Sequence, residues 1–373
     1  MLKINREALA DALTATNILT RKRQSIPILG NVLLEADKDV VSLQATDMDL
    51  TFTTYLQCAV GVAVKTTFPG NAAAKFLSAL TCDELEISLD ENKVRLNNGT
   101  VKMALPTRPL EDFPVAPSLA KHKAVKITMP CADFLTAIDS VAPAISTEER
   151  RYYLNGVYFE NVKGRLRMVA TDGHRMHVRD TVKADAFPPC IVPGATIRTL
   201  QKRLKKRDGE IEIAMYEAKG EVDERVVFSF GRESWESKVI DGTFPEYTRL
   251  CPNKDKLTAA VHFGAAAMSK CLSTFKKAMS GERAIRLSYE KGTLTAGMSS
   301  PDDGEVTYQL PASESGKGQF PDIGFNGKYL ADTIKALASP AITLKASDPA
   351  SPALFTGNLT EADMFVVLMP MRF

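Results

Sequence analysis

Residues 154–176 read LNGVYFENVKGRLRMVATDGHRM, two runs of alternating apolar and polar side chains. Tyr158 and Phe159 lie in the first run, Leu166, Met168 and Ala170 in the second, with Lys163 and Gly164 between them. Period-two alternation across a short Gly-bearing turn predicts a β-hairpin. The second run ends in Thr171-Asp172-Gly173-His174-Arg175. The same pattern occurs earlier. Val32, Glu35 and Ala45-Thr46-Asp47 each lie 125 residues before Val157, Glu160 and Ala170-Thr171-Asp172. A third copy spans 285–298, with Lys291-Gly292 as its turn. Self-similarity at a fixed spacing outranks local propensity in deciding a fold.

Helical periods repeat with the strands. Leu9 and Leu13 precede Phe134 and Ile138 by the same 125, and Met268, Leu272, Phe275 and Met279 recur at helical spacing in the last third. Each third holds a second helix after a Gly signal at Gly70, Gly194 or Gly324, with apolar pairs Phe76/Leu80, Leu200/Leu204 and Leu330/Ile334. The order strand, helix, three strands is thus used twice per third. This predicts an α+β protein of three tandem domains, each two βαβββ units with helices on one face of antiparallel sheet. Polar or Pro-bearing linkers at 114–123 and 251–256 set the domains at 1–122, 123–253 and 254–373. Residues 312–322 (ASESGKGQFPD) read as an exposed loop.

A chain of 373 residues exceeds one typical core, in keeping with several domains. No apolar run approaches the roughly 20 residues of a membrane span, and the amphipathic N-terminus with two acids is not a secretory signal. The six cysteines form no CxxC pair and read as free thiols of a reducing cytoplasm rather than disulfides or a zinc site. No metal or cofactor is expected.

The net charge of +2 conceals an uneven distribution. The predicted helix at 196–207 carries Arg198, Lys202, Arg203, Lys205, Lys206 and Arg207 and no acid, with Arg198, Lys202 and Lys205 on one face. Other helices add Lys75, Lys270, Lys276, Lys277, Lys328 and Lys335, while acids gather in turns and strands. Bases on helices, without base-reading motifs or aromatic platforms, predict sequence-independent contact with a duplex DNA backbone.

Catalytic chemistry has one candidate: a hydrolase using Asp172, His174 and His177, with or without a metal. On a continuing strand the two histidines face opposite ways, and the recurrence of Ala-Thr-Asp at 45–47 assigns Asp172 to capping a turn. HExxH, GxSxG and phosphate-loop patterns do not occur. The chain ends MFVVLMPMRF; Pro370 halts strand pairing, and Met369 and Met371 suit an adaptable apolar groove for peptides.

IPILGNVLLE (26–35), ATDMDL (45–50), RYYLNGVYFE (151–160), VATDGHRM (169–176), DGTFPEY (241–247), GFNGKYL (324–330) and VVLMPMR (366–372) together resemble the bacterial DNA polymerase III β subunit family, the sliding clamps. The resemblance covers the whole chain in order. It implies three clamp-type domains, helices lining a central pore with sheets outside, and a head-to-tail homodimeric ring around duplex DNA without catalytic activity. It implies partners that dock through short linear peptides: the polymerase III catalytic subunit, the clamp loader and repair proteins. Their pocket falls on Leu154, Thr171, Gly173, His174, Arg175, Met176, Pro245, Arg249, Leu250, Leu368, Met369, Pro370, Met371 and Arg372. A loop match adds Arg23 to the DNA-contacting candidates Arg198, Lys202 and Lys205. A monomeric adaptor that keeps the groove without closing a ring is the remaining reading.

Overall fold

The computed structural model describes residues 2–20, 25–60, 63–90, 92–205, 207–218, 223–279, 284–357 and 363–373. Among them one order of elements recurs six times, as the repeat predicts. The first unit is β1 (Leu2–Asn5), α1 (Arg6–Thr20), β2 (Asn31–Asp37), β3 (Val40–Thr46) and β4 (Leu50–Val60). The second is β5 (Val64–Pro69), α2 (Gly70–Ser78), β6 (Glu84–Asp90), β7 (Lys93–Asn97) and β8 (Lys102–Pro106). Next come β9 (Ala124–Pro130), α3 (Cys131–Val141), β10 (Gly156–Val162), β11 (Arg165–Thr171) and β12 (Arg175–Lys183). The fourth is β13 (Cys190–Pro193), α4 (Gly194–Leu204), β14 (Glu210–Tyr216), β15 (Arg225–Phe230) and β16 (Glu233–Lys238). The last third holds β17 (Ala259–Gly264), α5 (Ala265–Ala278), β18 (Ala284–Glu290), β19 (Thr293–Ser300) and β20 (Gly304–Gly316). It closes with β21 (Ile323–Asn326), α6 (Gly327–Leu337), β22 (Ala341–Ala346), β23 (Ala353–Thr356) and β24 (Met364–Leu368).

Contacts divide the chain into two compact units, residues 1–134 with 202–239, and 135–201 with 240–373. The first unit's antiparallel sheet runs β8-β7-β6-β1-β4-β16-β15-β14-β9, with β2, β3 and β5 branching beside β4. The second unit's runs β13-β10-β11-β12-β24-β23-β22-β17-β20-β19-β18-β21. The middle third therefore gives strands to both units. In each unit a fourth strand pairs with the last strand of the following third: β4 with β16, where Phe52 faces Trp235, and β12 with β24, where His177 faces Val366.

Alternation places one side of each strand in the core. In the first unit Leu2, Ile4, Val32, Leu34, Leu85, Ile87, Val94 and Leu96 pack against Leu9 and Leu13 of α1 and Ala73 and Leu77 of α2. In the second, Met268, Leu272 and Phe275 of α5 and Leu330, Ile334 and Leu337 of α6 cover Val261, Phe263, Ile285 and Leu287. Burying each large apolar side chain contributes about 1.5–3 kcal/mol, which holds helix to sheet. The hairpin turns form as predicted: Lys163-Gly164 and Lys291-Gly292 all have positive φ, the backbone that matches the strand twist.

Four expectations are corrected. The predicted helix at 196–207 is α4, which starts earlier, at Gly194, and ends at Leu204. The glycine opening α6 is Gly327, equivalent to Gly70 and Gly194 at the starts of α2 and α4; Gly324 lies inside β21. The core pair of α2 is Ala73 and Leu77, with Phe76 only half-buried, because the helix begins at Gly70 itself and its apolar stripe is set from there. Residues 312–316 are not loop. They extend β20 and pair with β17, because Gly316, at φ 107, turns the chain only at that point.

Candidate functional site

The turn after β11 is built from its own side chains. Thr171 Oγ1 donates to the Arg175 carbonyl (2.7 Å) and accepts from the Gly173 amide (3.1 Å). Asp172 Oδ1 accepts from the amides of His174 and Arg175, each at 3.0 Å. Gly173 has φ 86, where a Cβ would lie 2.6 Å from Arg151 Nη1. Asp172 thus caps the turn, as its recurrence predicts.

These bonds leave the hydrolase reading without support. Asp172 is engaged by two amides and by Arg175 Nε (3.0 Å). His174 precedes β12 and is exposed, whereas His177 is fully buried. His177 Nδ1 lies 2.7 Å from the Ser140 carbonyl oxygen, which makes it the protonated nitrogen. Burial pushes the His177 pKa down to about 4, against the smaller upward pull of the Ser140 carbonyl. Among the described residues, no three His, Cys, Asp or Glu side chains converge to hold a metal.

Arg175 is expected to edge a peptide groove, yet its guanidinium is turned inward. Nη1 donates to Asp332 Oδ2 at 2.6 Å and Nη2 to the Pro143 carbonyl, and the group lies 4.3 Å above the Tyr329 ring. The His174 ring stacks on the same tyrosine. The chain end joins here too: the Met369 amide donates to the His174 carbonyl (2.9 Å) and the Met371 amide to the Gly324 carbonyl (2.7 Å). Met369 and Met371 are 41% and 39% exposed; Pro370 is half-buried and Arg372 exposed.

Behind this edge, Leu154 and Met176 share an apolar cluster with Val367, Phe244 and Tyr247. The segment 240–250 is strapped over the hairpin by Phe244 stacked on Tyr158, and by the Tyr247 hydroxyl, which donates to Glu160 and accepts from Arg167 Nη1 (3.3 Å). The strap carries half-buried Pro245 and exposed Arg249 and Leu250, Arg249 being paired with Glu246. Leu368 differs from the other candidates, for its side chain belongs to the helix-side core. Tyr329, Asp332 and Gly324 were missed by sequence reasoning. Tyr329 and Asp332 lie beside the α6 apolar stripe, a weak signal, and Gly324 was read as a helix signal.

The basic helices sort more sharply than composition suggests. In α4, Arg198 and Lys202 are exposed, as is Lys205 just beyond its end. Arg203 and Arg207 instead pair with Glu233, each at 2.5 Å, and Arg207 also with Asp11 at 2.9 Å. They are neutralised rather than free for a phosphate. Lys75, Lys270, Lys276, Lys277, Lys328 and Lys335 lie toward the surface on α2, α5 and α6, while α1 and α3 carry Glu7, Asp11, Asp133 and Asp139 there. Lys206, and Arg23 with Arg21 and Lys22, lie outside the described residues.

Comparison with known proteins follows the same three thirds. Family profiles described as the N-terminal, central and C-terminal domains of the DNA polymerase III beta subunit match residues 1–117, 128–246 and 248–372. The chain is 32% identical to the "Beta sliding clamp" of Caulobacter vibrioides, covering 100% of this chain and 99% of the relative. Identity to the protein of that name from Pseudomonas aeruginosa is 30%, covering 99% of both. Among solved structures, the sliding clamp of Bartonella birtlesii bound to griselimycin superposes at a TM-score of 0.90, with 31% identity over 100% of both chains.

Proposed function

The chain belongs to the bacterial DNA polymerase III β subunit family, the sliding clamps of DNA replication, and from that premise we propose that it works as a homodimeric ring that encloses duplex DNA and tethers its partners by short peptides. The observation that carries the ring is strand pairing. The fourth strand of the first third pairs with the last strand of the second, and that of the second with the last of the third. By the same rule β20 calls for a last strand from a following domain. Among the described residues the last strand of the first third, β8, pairs only with β7. Two copies joined head to tail through β20 and β8 satisfy both edges and close with two-fold symmetry.

The domains are 1–122, 123–253 and 254–373. Arg198, Lys202 and Lys205 contact phosphates without reading bases, which lets the clamp move along DNA; Arg23 joins them by family match. Partner peptides from the polymerase III catalytic subunit, the clamp loader and repair proteins seat an apolar anchor among Leu154, Met176, Pro245, Leu250, Met369, Pro370 and Met371. Thr171, Gly173, His174, Arg249 and Arg372 supply the polar rim, and Arg175 and Leu368 hold it from beneath. The family is non-catalytic, and the chain acts by enclosure in the cytoplasm, without a cofactor.

The test is retention on DNA. Loaded on a nicked circle, the protein stays bound through gel filtration at raised salt and is lost when the circle is cut, and its mass in solution is twice 40.7 kDa. A monomeric mass at micromolar concentration, or equal retention on linear DNA, rejects the ring.

A further inference from the structure

We propose that Asp332 is a positioning residue for partner binding: from helix α6 it fixes the turn 171–175, and through that turn the C-terminal strip 369–371. The inference rests on the peptide-pocket reading above. Helix α6 is a rigid base for the task. Its start is capped by the Asn326 side chain, which accepts from the amides of Lys328 (2.9 Å) and Tyr329 (3.1 Å). Its inner face is locked by Leu330, Ile334 and Leu337. Tyr329 and Asp332, three residues apart, stand on one flank. Asp332 takes Arg175 Nη1 at 2.6 Å, and Tyr329 lies 4.3 Å beneath the guanidinium. The Arg175 side chain is 6% exposed and that of Asp332 31%, so the contact is shielded from water on the arginine side.

The strand that leads into α6, β21, holds the other end of the strip. The Gly324 carbonyl in β21 accepts the Met371 amide, and a Cβ on Gly324 would fall 2.5 Å from Phe373 Cδ1 and 2.6 Å from the Met371 carbonyl oxygen. The strip is therefore hung at Met369 from the turn and at Met371 from β21. Only the first attachment depends on Asp332. Removing that carboxylate leaves Arg175 its partner within the turn, Asp172. Arg175 and Asp172 then balance each other, and the turn loses its ionic tie to α6 while keeping the Tyr329 contact, so the effect falls on pocket geometry rather than on folding.

The experiment uses the full-length protein and a fluorescein-labelled synthetic peptide carrying two large apolar side chains, read by anisotropy. D332N weakens binding about tenfold, the worth of one charge-assisted hydrogen bond, and D332E, which keeps the carboxylate, recovers most of it. Hydrogen exchange quickens at the Arg175 and Met369 amides while those of β22 stay protected. G324A, which displaces the strip directly, weakens binding without quickening exchange at Arg175. If the wild-type protein binds and D332N binds equally well, the proposal falls alone; it also falls if D332N speeds exchange throughout α6 and β22. A wild-type protein that ignores the peptide overturns the pocket reading and this proposal with it.

Discussion

The turns at 46–50 and 171–175 share one backbone and differ in what they carry. In the first, Thr46 Oγ1 donates to the Leu50 carbonyl (3.2 Å) and accepts from the Met48 amide (3.0 Å). Asp47 Oδ1 there accepts from Asp49 (3.2 Å) and Leu50 (2.8 Å), the same four bonds that Thr171 and Asp172 make. At the offset of 125, however, Leu50 becomes Arg175, Phe52 becomes His177 and Met48 becomes Gly173. Leu50 and Phe52 are ordinary core, Phe52 lying 4.4 Å from Trp235 between ring centroids. Arg175 instead ties the turn to α6, and His177 is neutral and enclosed. A duplicated frame can thus keep its hydrogen bonds while the exchanged side chains turn one copy from apolar support into a charged anchor tied to α6.

The largest effects should separate the copies. Arg175→Ala strips the counter-charge from Asp172 and Asp332; we expect a loss of about 3 kcal/mol together with loss of peptide binding. Leu50→Ala costs a similar ~3 kcal/mol in packing, seen in urea unfolding by Trp235 fluorescence, with peptide affinity untouched. Weakened peptide binding in the Leu50 variant breaks the comparison.

Acid comes next, through His177. Its folded pKa is depressed to about 4, so the unfolded chain takes up the proton first. Stability from this group is complete above the unfolded value, near 6.5, and falls as pH drops from there to 4, by roughly 3 kcal/mol in all. His177→Gln should flatten that slope in hydrogen exchange of β12 and β24. Equal slopes in both proteins would remove His177 as the cause.

Backbone strain gives smaller shifts of opposite sign. Gly173→Ala, at φ 86, should lose about 1 kcal/mol, and Met48→Gly, at φ 79, should gain about as much, since left-handed backbone disfavours a Cβ. Two gains or two losses would show that the turns are not equivalent. Asp47→Ala should cost about 1 kcal/mol for its two amide bonds, visible in the Trp235 transition and absent from peptide titration. Asp172→Ala should affect both, because Asp172 also holds Arg175.

Much of the fold was legible because repetition is a property of sequence. Alternation at 154–176 and its copy at 31–47 located the hairpins, and Leu9, Leu13, Phe134 and Ile138 located the inner faces of α1 and α3, all four now fully buried. Reading failed where a residue's role depends on distant contacts. Gly324 resembles a helix signal until the chain end is seen packed on it. Arg203 and Arg207 read only as two more bases of an acid-free helix until Glu233 and Asp11 are placed beside them.

By itself the sequence determined the repeating unit, its sixfold use, the antiparallel class and the turn chemistry of Thr-Asp, because these follow from periods and near neighbours along the chain. Tertiary structure alone decided which charges are free and which are spent, and that Arg175 grips Asp332, 157 residues away. Such pairings depend on where folding brings distant side chains, and no local pattern encodes that distance.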